Sequence, residues 1–179
     1  MPPPRTIPDF EFAPAPLGTR VRLTTLLSLV AVVILGAVIA VLVAREPHPP
    51  PWPVFLVAGI APAIVALICV TARIQCYRIA GDELQIALPF RRARFPLGGL
   101  QSATPDREAL RGARKIVGND GLRAISGRFR SKRLGRFHAY VTDPGQTVVL
   151  RWPDRCLVVS PQHPSLFVET VRRRAGLTS

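Results

Sequence analysis

Residues 23–44 read LTTLLSLVAVVILGAVIAVLVA and residues 54–72 read VFLVAGIAPAIVALICVTA, and neither run contains a charged residue. Each run comes close to or exceeds the ~20 residues that an α-helix needs to cross the hydrocarbon core of a bilayer. Because backbone polar groups must be satisfied internally in lipid, two such neighbouring runs predict two membrane-spanning helices. A basic, polar remainder follows them. The sequence therefore predicts a membrane anchor that carries a separate domain.

The connector at residues 45–53 contains five prolines and Trp52, so it predicts a tight turn at a membrane surface. Basic residues before the first run and after the second outnumber the single Arg45 in the connector. The positive-inside rule then predicts that both termini are cytoplasmic, in a multi-pass protein of the inner (plasma) membrane. A cleaved signal peptide is the alternative for the first run, but the run is longer than the 7–15 residues of a typical h-region.

Composition divides the chain into three parts. Residues 1–20 are rich in proline and predict an unstructured leader, residues 21–72 a transmembrane hairpin with spans at about 23–44 and 54–72, and residues 73–176 a cytoplasmic domain. The part after residue 72 carries +12 of the formal net charge of +13. The three cysteines of the whole chain, at 69, 76 and 156 with the first inside the second span, form no CxxC pair and suit a reducing compartment.

Short alternating runs in this domain predict β-strands. Alternation and turn signals place them at residues 73–79, 84–88, 92–100, 127–143, 147–152 and 156–160. The first two are joined by a turn at residues 80–83 and predict a hairpin, and the last three predict a meander.

The end of the chain has a different period. Phe167, Val168, Val171 and Ala175 recur at helical spacing after Pro164, which predicts a C-terminal helix. Arg172, Arg173 and Arg174 fall in its last turn and Gly176 follows its end. The predicted fold is a two-helix transmembrane hairpin plus a mainly-β barrel or sandwich that this helix closes.

Several segments of the domain resemble bacterial pleckstrin-homology-like (PH-like) domains attached to membrane hairpins. They are YRIAGDEL at 77–84, GNDG at 118–121, GRFR at 127–130, LGRFHAYVTD at 134–143 and VSPQHP at 159–164 with Phe167 after it. The resemblance spans about residues 73–175. It implies a β-barrel-like sandwich with a C-terminal helix, no enzymatic activity, and a role in binding proteins or lipids at the membrane.

The turn at residues 80–83 departs from the PH domains that bind phosphoinositides. Those domains cluster Lys and Arg around the loop between their first two strands, whereas this turn reads AGDE and is acidic and short. Phosphoinositide binding at this place is not supported, and the resemblance supplies no ligand-contact residue.

The strongest candidate contact surface is a basic stretch between residues 107 and 136. Its Lys and Arg residues are Arg107, Arg111, Arg114, Lys115, Arg123, Arg128, Arg130, Lys132, Arg133 and Arg136. Below an anionic leaflet each could gain about 1 kcal/mol, so lipid headgroups and an unknown protein partner are the candidates. The alternative is a solvated surface that keeps the chain soluble. Nucleic acid is disfavoured, because Phe129 is the main aromatic residue available for base stacking.

Small residues in the two spans predict a further contact. Gly36 and Ala40 in the first span, and Gly59 and Ala63 in the second, are spaced four residues apart, as in close helix packing within a hairpin or between copies. The alternative function is therefore a structural subunit of a membrane complex, or homo-oligomer, assembled through the hairpin.

No pattern in the sequence indicates catalysis, a metal site or a cofactor. His48, His138 and His163 are far apart and lack metal-ligand spacing. Cys76 and Cys156 are predicted to fill the core. GNDG at 118–121 follows no predicted strand and is interpreted as a turn rather than a phosphate-binding loop.

Overall fold

The computed structural model describes residues 9–45, 52 and 60–177. Its elements in chain order are β1 Phe10–Phe12, α1 Thr19–Ala44, α2 Ala61–Thr71, β2 Cys76–Ala80, β3 Glu83–Leu88, β4 Arg91–Pro96, β5 Ser102–Pro105, β6 Arg114–Asp120, β7 Ile125–Ser131, β8 Gly135–Val141, β9 Val148–Arg151, β10 Cys156–Val159 and α3 Pro164–Arg174.

The strands form two sheets. Sheet 1 has the order β1-β2-β3-β4, and sheet 2 has the order β5-β9-β10-β8-β7-β6. Alternation explains the hairpin of β2 and β3, where Tyr77, Ile79, Leu84 and Ile86 are fully buried and their neighbours are not. The predicted mainly-β sandwich with a C-terminal helix is confirmed.

The predicted meander at the end of the domain is wrong. β10 pairs with β8 in parallel and with β9 in antiparallel orientation, so β10 lies between them. The β6–β7–β8 part of sheet 2 is instead a true meander, and the sequence prediction missed both β5 and β6. β6 includes residues 118–120, which were interpreted as a turn.

The predicted unstructured leader is wrong for the part that the structure describes. β1 pairs with β2, and Phe12 is buried against the ring of Phe167 at 5.2 Å. The chain then crosses sheet 2, where the Ala15 N–H donates to the Ser160 carbonyl at 2.8 Å. Proline removes backbone donors but does not prevent a short edge strand, so the Pro-rich composition was a poor guide here. Residues 1–8 lie outside the described residues.

The C-terminal helix is confirmed. α3 begins with Pro164 in its first turn, and Phe167 and Val171 are fully buried. Leu177 N–H donates to the Arg172 carbonyl at 2.9 Å after Gly176, whose φ of 70° suits a helix end. Phe167 also lies edge-on to Tyr77, so α3 packs where β1 and β2 meet sheet 2.

α1 begins inside the domain. Val21 is fully buried among sheet 2 residues, and Thr25 Oγ1 donates to the Gly121 carbonyl at 3.1 Å and accepts from the Arg123 N–H at 3.1 Å. The rest of α1 leaves the domain as the one helix among the described residues that is long and apolar enough to span a membrane, with a window of mean hydropathy 3.2 of which none is buried.

The second predicted span is described only in its later half. α2 is apolar, lies against α1 and joins β2 through residues 72–75. Residues 54–59, including Gly59, lie outside the described residues, so the two-helix hairpin is not established by the described helices. Gly36 is half-buried, whereas Ala40 and Ala63 are exposed. The predicted packing role of these residues stays a prediction.

Candidate functional site

Three arginines form one cross-strand row on sheet 2. Arg114 on β6 pairs with Arg130 on β7, which pairs with Arg136 on β8, and all three are exposed. We call this set the arginine row. Directly paired residues point to the same face of a sheet, and like charges placed opposite each other are destabilising. The row therefore costs stability unless an anion lies over it.

Sheet 1 carries a corresponding row of different composition. The mixed row runs across its four strands as Glu11, Arg78, Gln85 and Arg94. Glu11 accepts a hydrogen bond from the Arg78 guanidinium at 3.2 Å, and Gln85 separates Arg78 from Arg94. The Cys76 thiol, and to a smaller extent the Arg78 guanidinium, hold the pKa of the Glu11 carboxyl below its usual range.

An open groove of about 850 Å³ lies at the end of β6 and β7 that carries the arginine row. Its wall holds five cationic side chains against one carboxylate, and its lining is Glu108, Arg111, Gly112, Arg114, Arg130, Ser131, Lys132, Arg133 and Gly135. We call it the basic groove. Local backbone chemistry shapes it, because Gly135 at φ 68° closes the β7–β8 turn and Ser131 Oγ caps that turn by accepting from the Leu134 N–H at 3.0 Å.

Only part of the groove's charge is neutralised within the protein. Arg111 pairs with Glu108 at 2.9 Å and Arg133 with Asp106 at 2.7 Å. No ion pair among the described residues involves Arg114, Arg130 or Lys132. The groove thus offers at least three cations to an anionic group, and guanidinium groups bind carboxylates and phosphates in bidentate geometry.

The remaining basic residues of the stretch lie elsewhere. Arg123 is in the β6–β7 turn at φ 62°, where its N–H binds Thr25 on α1. Arg107 and Lys115 are exposed outside the groove, in the turn before β6 and on β6 itself. Arg123 is separated from the arginine row by most of the seven-residue β6, a distance of about 20 Å. The ten residues therefore do not form a single cluster.

A smaller cavity of about 390 Å³ extends the basic surface along β8. Arg128 pairs in register with His138, and Arg136, Asp154 and Arg155 also line it. Burial, then the charges of Arg128 and Arg155, lowers the pKa of His138, which favours the neutral imidazole. The sequence analysis missed Arg155, because only the parallel pairing of β10 with β8 brings it here.

The thiols of the domain are not activated. Burial first, then the Glu11 carboxylate, raises the pKa of Cys76, and burial raises the pKa of Cys156. A raised pKa disfavours the thiolate, which is the nucleophilic and metal-binding form. Cys156 is buried in sheet 2 as expected, whereas Cys76 is half-buried. Within the described ranges, no three His, Cys, Asp or Glu side chains are grouped in a way that could hold a metal ion.

Comparison with known proteins gave one match. The family described as "Bacterial PH domain" matches residues 75–175, which is more than half of the chain. The matched range runs from the start of β2 to the end of α3 and includes the arginine row. No curated protein and no solved structure matches the chain.

Proposed function

The chain belongs to the bacterial PH domain family, and we propose that it is a membrane-anchored, non-enzymatic binding module whose basic groove takes an acidic segment of a protein partner. PH-like domains are binding or scaffolding modules as a class.

The pairing of β1 with β2 is the main support for a two-span membrane anchor. β1 precedes α1 and β2 follows α2, yet Phe10 lies opposite Ile79 and Phe12 opposite Tyr77 in one sheet. Residues on both sides of the apolar segments are thus on the same side of any membrane that α1 crosses. A chain that leaves through α1 must therefore return, which supports the two-span hairpin.

The length of α1 outside the domain fits a bilayer. Beyond Thr25, which is bonded to the β6–β7 turn, residues 26–44 extend about 28 Å at the rise of an α-helix, close to the ~30 Å hydrocarbon thickness. An exposed apolar rod of this length is unfavourable in water. Arg20, Arg22 and Arg73 flank the apolar segments on the domain side, which favours a cytoplasmic domain and cytoplasmic termini.

A protein partner suits the basic groove better than the bilayer or nucleic acid. The arginine row is about 20 Å along β6 from the point where α1 enters the domain, more than twice the Debye length of about 8 Å at physiological salt. Phe129, the aromatic side chain among the basic residues, is 2% exposed and stacks on Phe137 in a buried hydrophobic cluster of sheet 2 that also includes Val21. It cannot serve as a stacking platform for bases.

The groove is tested with the full chain in nanodiscs of zwitterionic lipid. A fluorescent deca-glutamate peptide is titrated and its anisotropy followed at low and high salt. We expect salt-sensitive binding that Arg114→Glu with Arg130→Glu weakens at least tenfold, the equivalent of about 1.4 kcal/mol. The control is Arg94→Glu in the mixed row, compared with Arg130→Glu alone, which makes the same change of charge; Arg94→Glu should change the affinity less than twofold.

Other outcomes would overturn the proposed partner. An equal loss in the Arg94→Glu control would mean that net charge alone attracts the peptide. Binding of an RNA or DNA duplex in preference to the peptide would make nucleic acid the ligand. Recovery of partners that depends on Gly36 and Ala40 but not on the arginine row would favour the hairpin-assembled subunit instead.

The anchor has its own test. In a chain with its three native cysteines replaced, His48→Cys and Asp82→Cys are labelled separately with an impermeant maleimide in intact cells. Labelling at position 48 alone supports the hairpin and a cytoplasmic domain. Labelling at position 82 before permeabilisation contradicts them.

A further inference from the structure

We infer that the turn between β3 and β4, with Phe90 at its tip, contacts the membrane interface and seats the domain on the bilayer beside α2. This inference rests on the proposed anchor. It concerns a surface remote from the basic groove, and its ligand is the interfacial region of a bilayer that contains anionic lipid.

The exposure of Phe90 is the first observation. Its side chain is 77% exposed, more than any other large apolar residue in the described part of the chain, including those of α1. It follows Pro89, which restricts the turn, and Leu88, which is buried in the core. A fixed turn thus holds an aromatic ring out in the surroundings, and aromatic rings are enriched at the level of lipid headgroups.

The strand register determines where this tip lies. Cys76 pairs with Ala87, and the Gln75 N–H donates to the Ala87 carbonyl at 2.9 Å. The two strands can be followed away from the β2–β3 turn. β2 then leads from Gln75 back to Ala72, the C-cap of α2, and β3 leads from Ala87 forward to Phe90. Phe90 therefore lies at the same end of the β2–β3 hairpin as the apolar helix α2.

The charge around the tip is the third observation. Arg91, Arg92 and Arg94 follow Phe90 and are exposed, and the sequence contains no acidic residue between Glu83 and Asp106. No ion pair in the described ranges involves these three arginines. An apolar tip with adjacent cations complements an anionic headgroup layer over apolar chains.

This contact would be a third support for the domain. α1 enters at the β6–β7 turn and α2 at the start of β2, and a tip that touches the bilayer beside α2 would limit rotation about the two helices. The domain is then held in one orientation relative to the membrane. The basic groove consequently faces a fixed direction.

The test measures depth in the full chain in nanodiscs that contain anionic lipid. Single cysteines at Phe90→Cys, Asp82→Cys and Val33→Cys, in a chain without native cysteines, carry an environment-sensitive NBD label. Quenching by lipid with a spin label near the headgroup is recorded. We expect strong quenching at position 90 and at most weak quenching at position 82, an exposed turn at the opposite end of β3.

Position 33 in α1 separates failure of this inference from failure of the anchor. Labels at position 33 should emit as in hydrocarbon. If they do and position 90 is quenched no more than position 82, the tip does not touch the bilayer. If position 33 also reports water, the anchor itself is wrong. Arg91→Glu with Arg92→Glu should reduce quenching at position 90 at least twofold, and no change would remove the role of the arginines.

Discussion

The mixed row of sheet 1 and the arginine row of sheet 2 each run across neighbouring antiparallel strands, but the arginine row is exposed throughout, whereas Arg78 and Gln85 of the mixed row are half-buried. In the mixed row each cation has an acid or an amide as its neighbour, whereas the arginine row sets three guanidinium groups side by side. Since like charges opposite each other lower stability, the first arrangement suits the fold, whereas the second is the one that we propose binds a ligand. The difference indicates which exposed arginines to mutate when binding is at issue.

The largest expected effect on stability comes from a close backbone approach in sheet 2. Gly118 and Gly127 face each other across β6 and β7 at φ 129° and 131°, and a Cβ on Gly127 would collide with the Val117 carbonyl oxygen. Gly127→Ala should lower the free energy of unfolding by about 3 kcal/mol or more and disrupt the arginine row.

The matched change in sheet 1 is Gly81→Ala, in the β2–β3 turn. Gly81 has φ 55° and open space around its Cβ position, so its replacement should cost only about 1–2 kcal/mol. Urea unfolding of the full chain in nanodiscs, followed by Trp152 fluorescence with Trp52→Phe, measures both. Equal costs would show that the close approach of β6 and β7 is not a constraint.

Tyr77 links the two sheets and predicts the next largest effect. Its hydroxyl donates to the Tyr140 carbonyl at 2.8 Å and accepts from the Ser160 N–H at 3.3 Å, and the ring is fully buried. Tyr77→Phe leaves these backbone groups unpaired and should cost about 1–3 kcal/mol. The same unfolding assay at pH 8 measures this loss.

The pH dependence of stability gives an independent check on Tyr77. Burial raises the pKa of Tyr77 to about 12 in the folded protein, against 10 when exposed. The folded state then favours the protonated phenol, so the contribution of Tyr77 to stability is constant below pH 10 and falls as pH rises from 10 towards 12, by about 3 kcal/mol in total. Tyr77→Phe should remove this component of the alkaline loss, and an unchanged profile would contradict the assignment.

In the arginine row, a substitution is expected to increase stability by a smaller amount. Arg130→Gln removes the central charge, with Arg114 on one side and Arg136 on the other, and should raise the free energy of unfolding by about 0.2–1 kcal/mol in the absence of ligand. Added salt should reduce the difference in the free energy of unfolding between Arg130→Gln and the wild type. A destabilised variant at low salt would show that the row is not under repulsion.

The smallest expected effect is in the mixed row. Glu11→Gln breaks the pair between Glu11 and Arg78, whose side chains are 55% and 41% exposed, so the loss of stability should be the smallest of the series and should shrink with salt. Differential scanning fluorimetry at two salt concentrations is sufficient. A loss as large as that of Tyr77→Phe would mean that β1 depends on this ion pair.

Hydrophobic periodicity predicted the helices and strands that bury one face and expose the other. The β2–β3 hairpin alternates buried and less buried residues, and α3 repeats its buried residues at helical spacing. β6 escaped prediction because it is an edge strand exposed on nearly all its residues, so it shows no alternation, and it contains Gly118. β1 is only three residues long and its partner is distant in sequence.

The candidate site was predictable in composition but not in arrangement. Charge density identified the stretch that holds the arginine row, yet the row itself depends on registers of β6, β7 and β8 that the sequence does not reveal. Arg123 and Arg130 are close in sequence and far apart in the fold. Residues 10–25 complete the core of the domain, so a fragment that begins at residue 73 would lack part of it.

The pairing of β1 with β2 also affects how the protein is made. Glu11 and Arg78 are 67 residues apart, and the apolar segments lie between them. During synthesis β1 has no partner until β2, which follows α2 in the chain, has been made. For a chain anchored as proposed, a failed second crossing leaves the edge of β2 and the ring of Phe167 without their cover, and such surfaces favour aggregation. In such an anchored chain, the domain is complete only when both apolar segments have been inserted, so a folded domain would indicate correct insertion of the proposed hairpin.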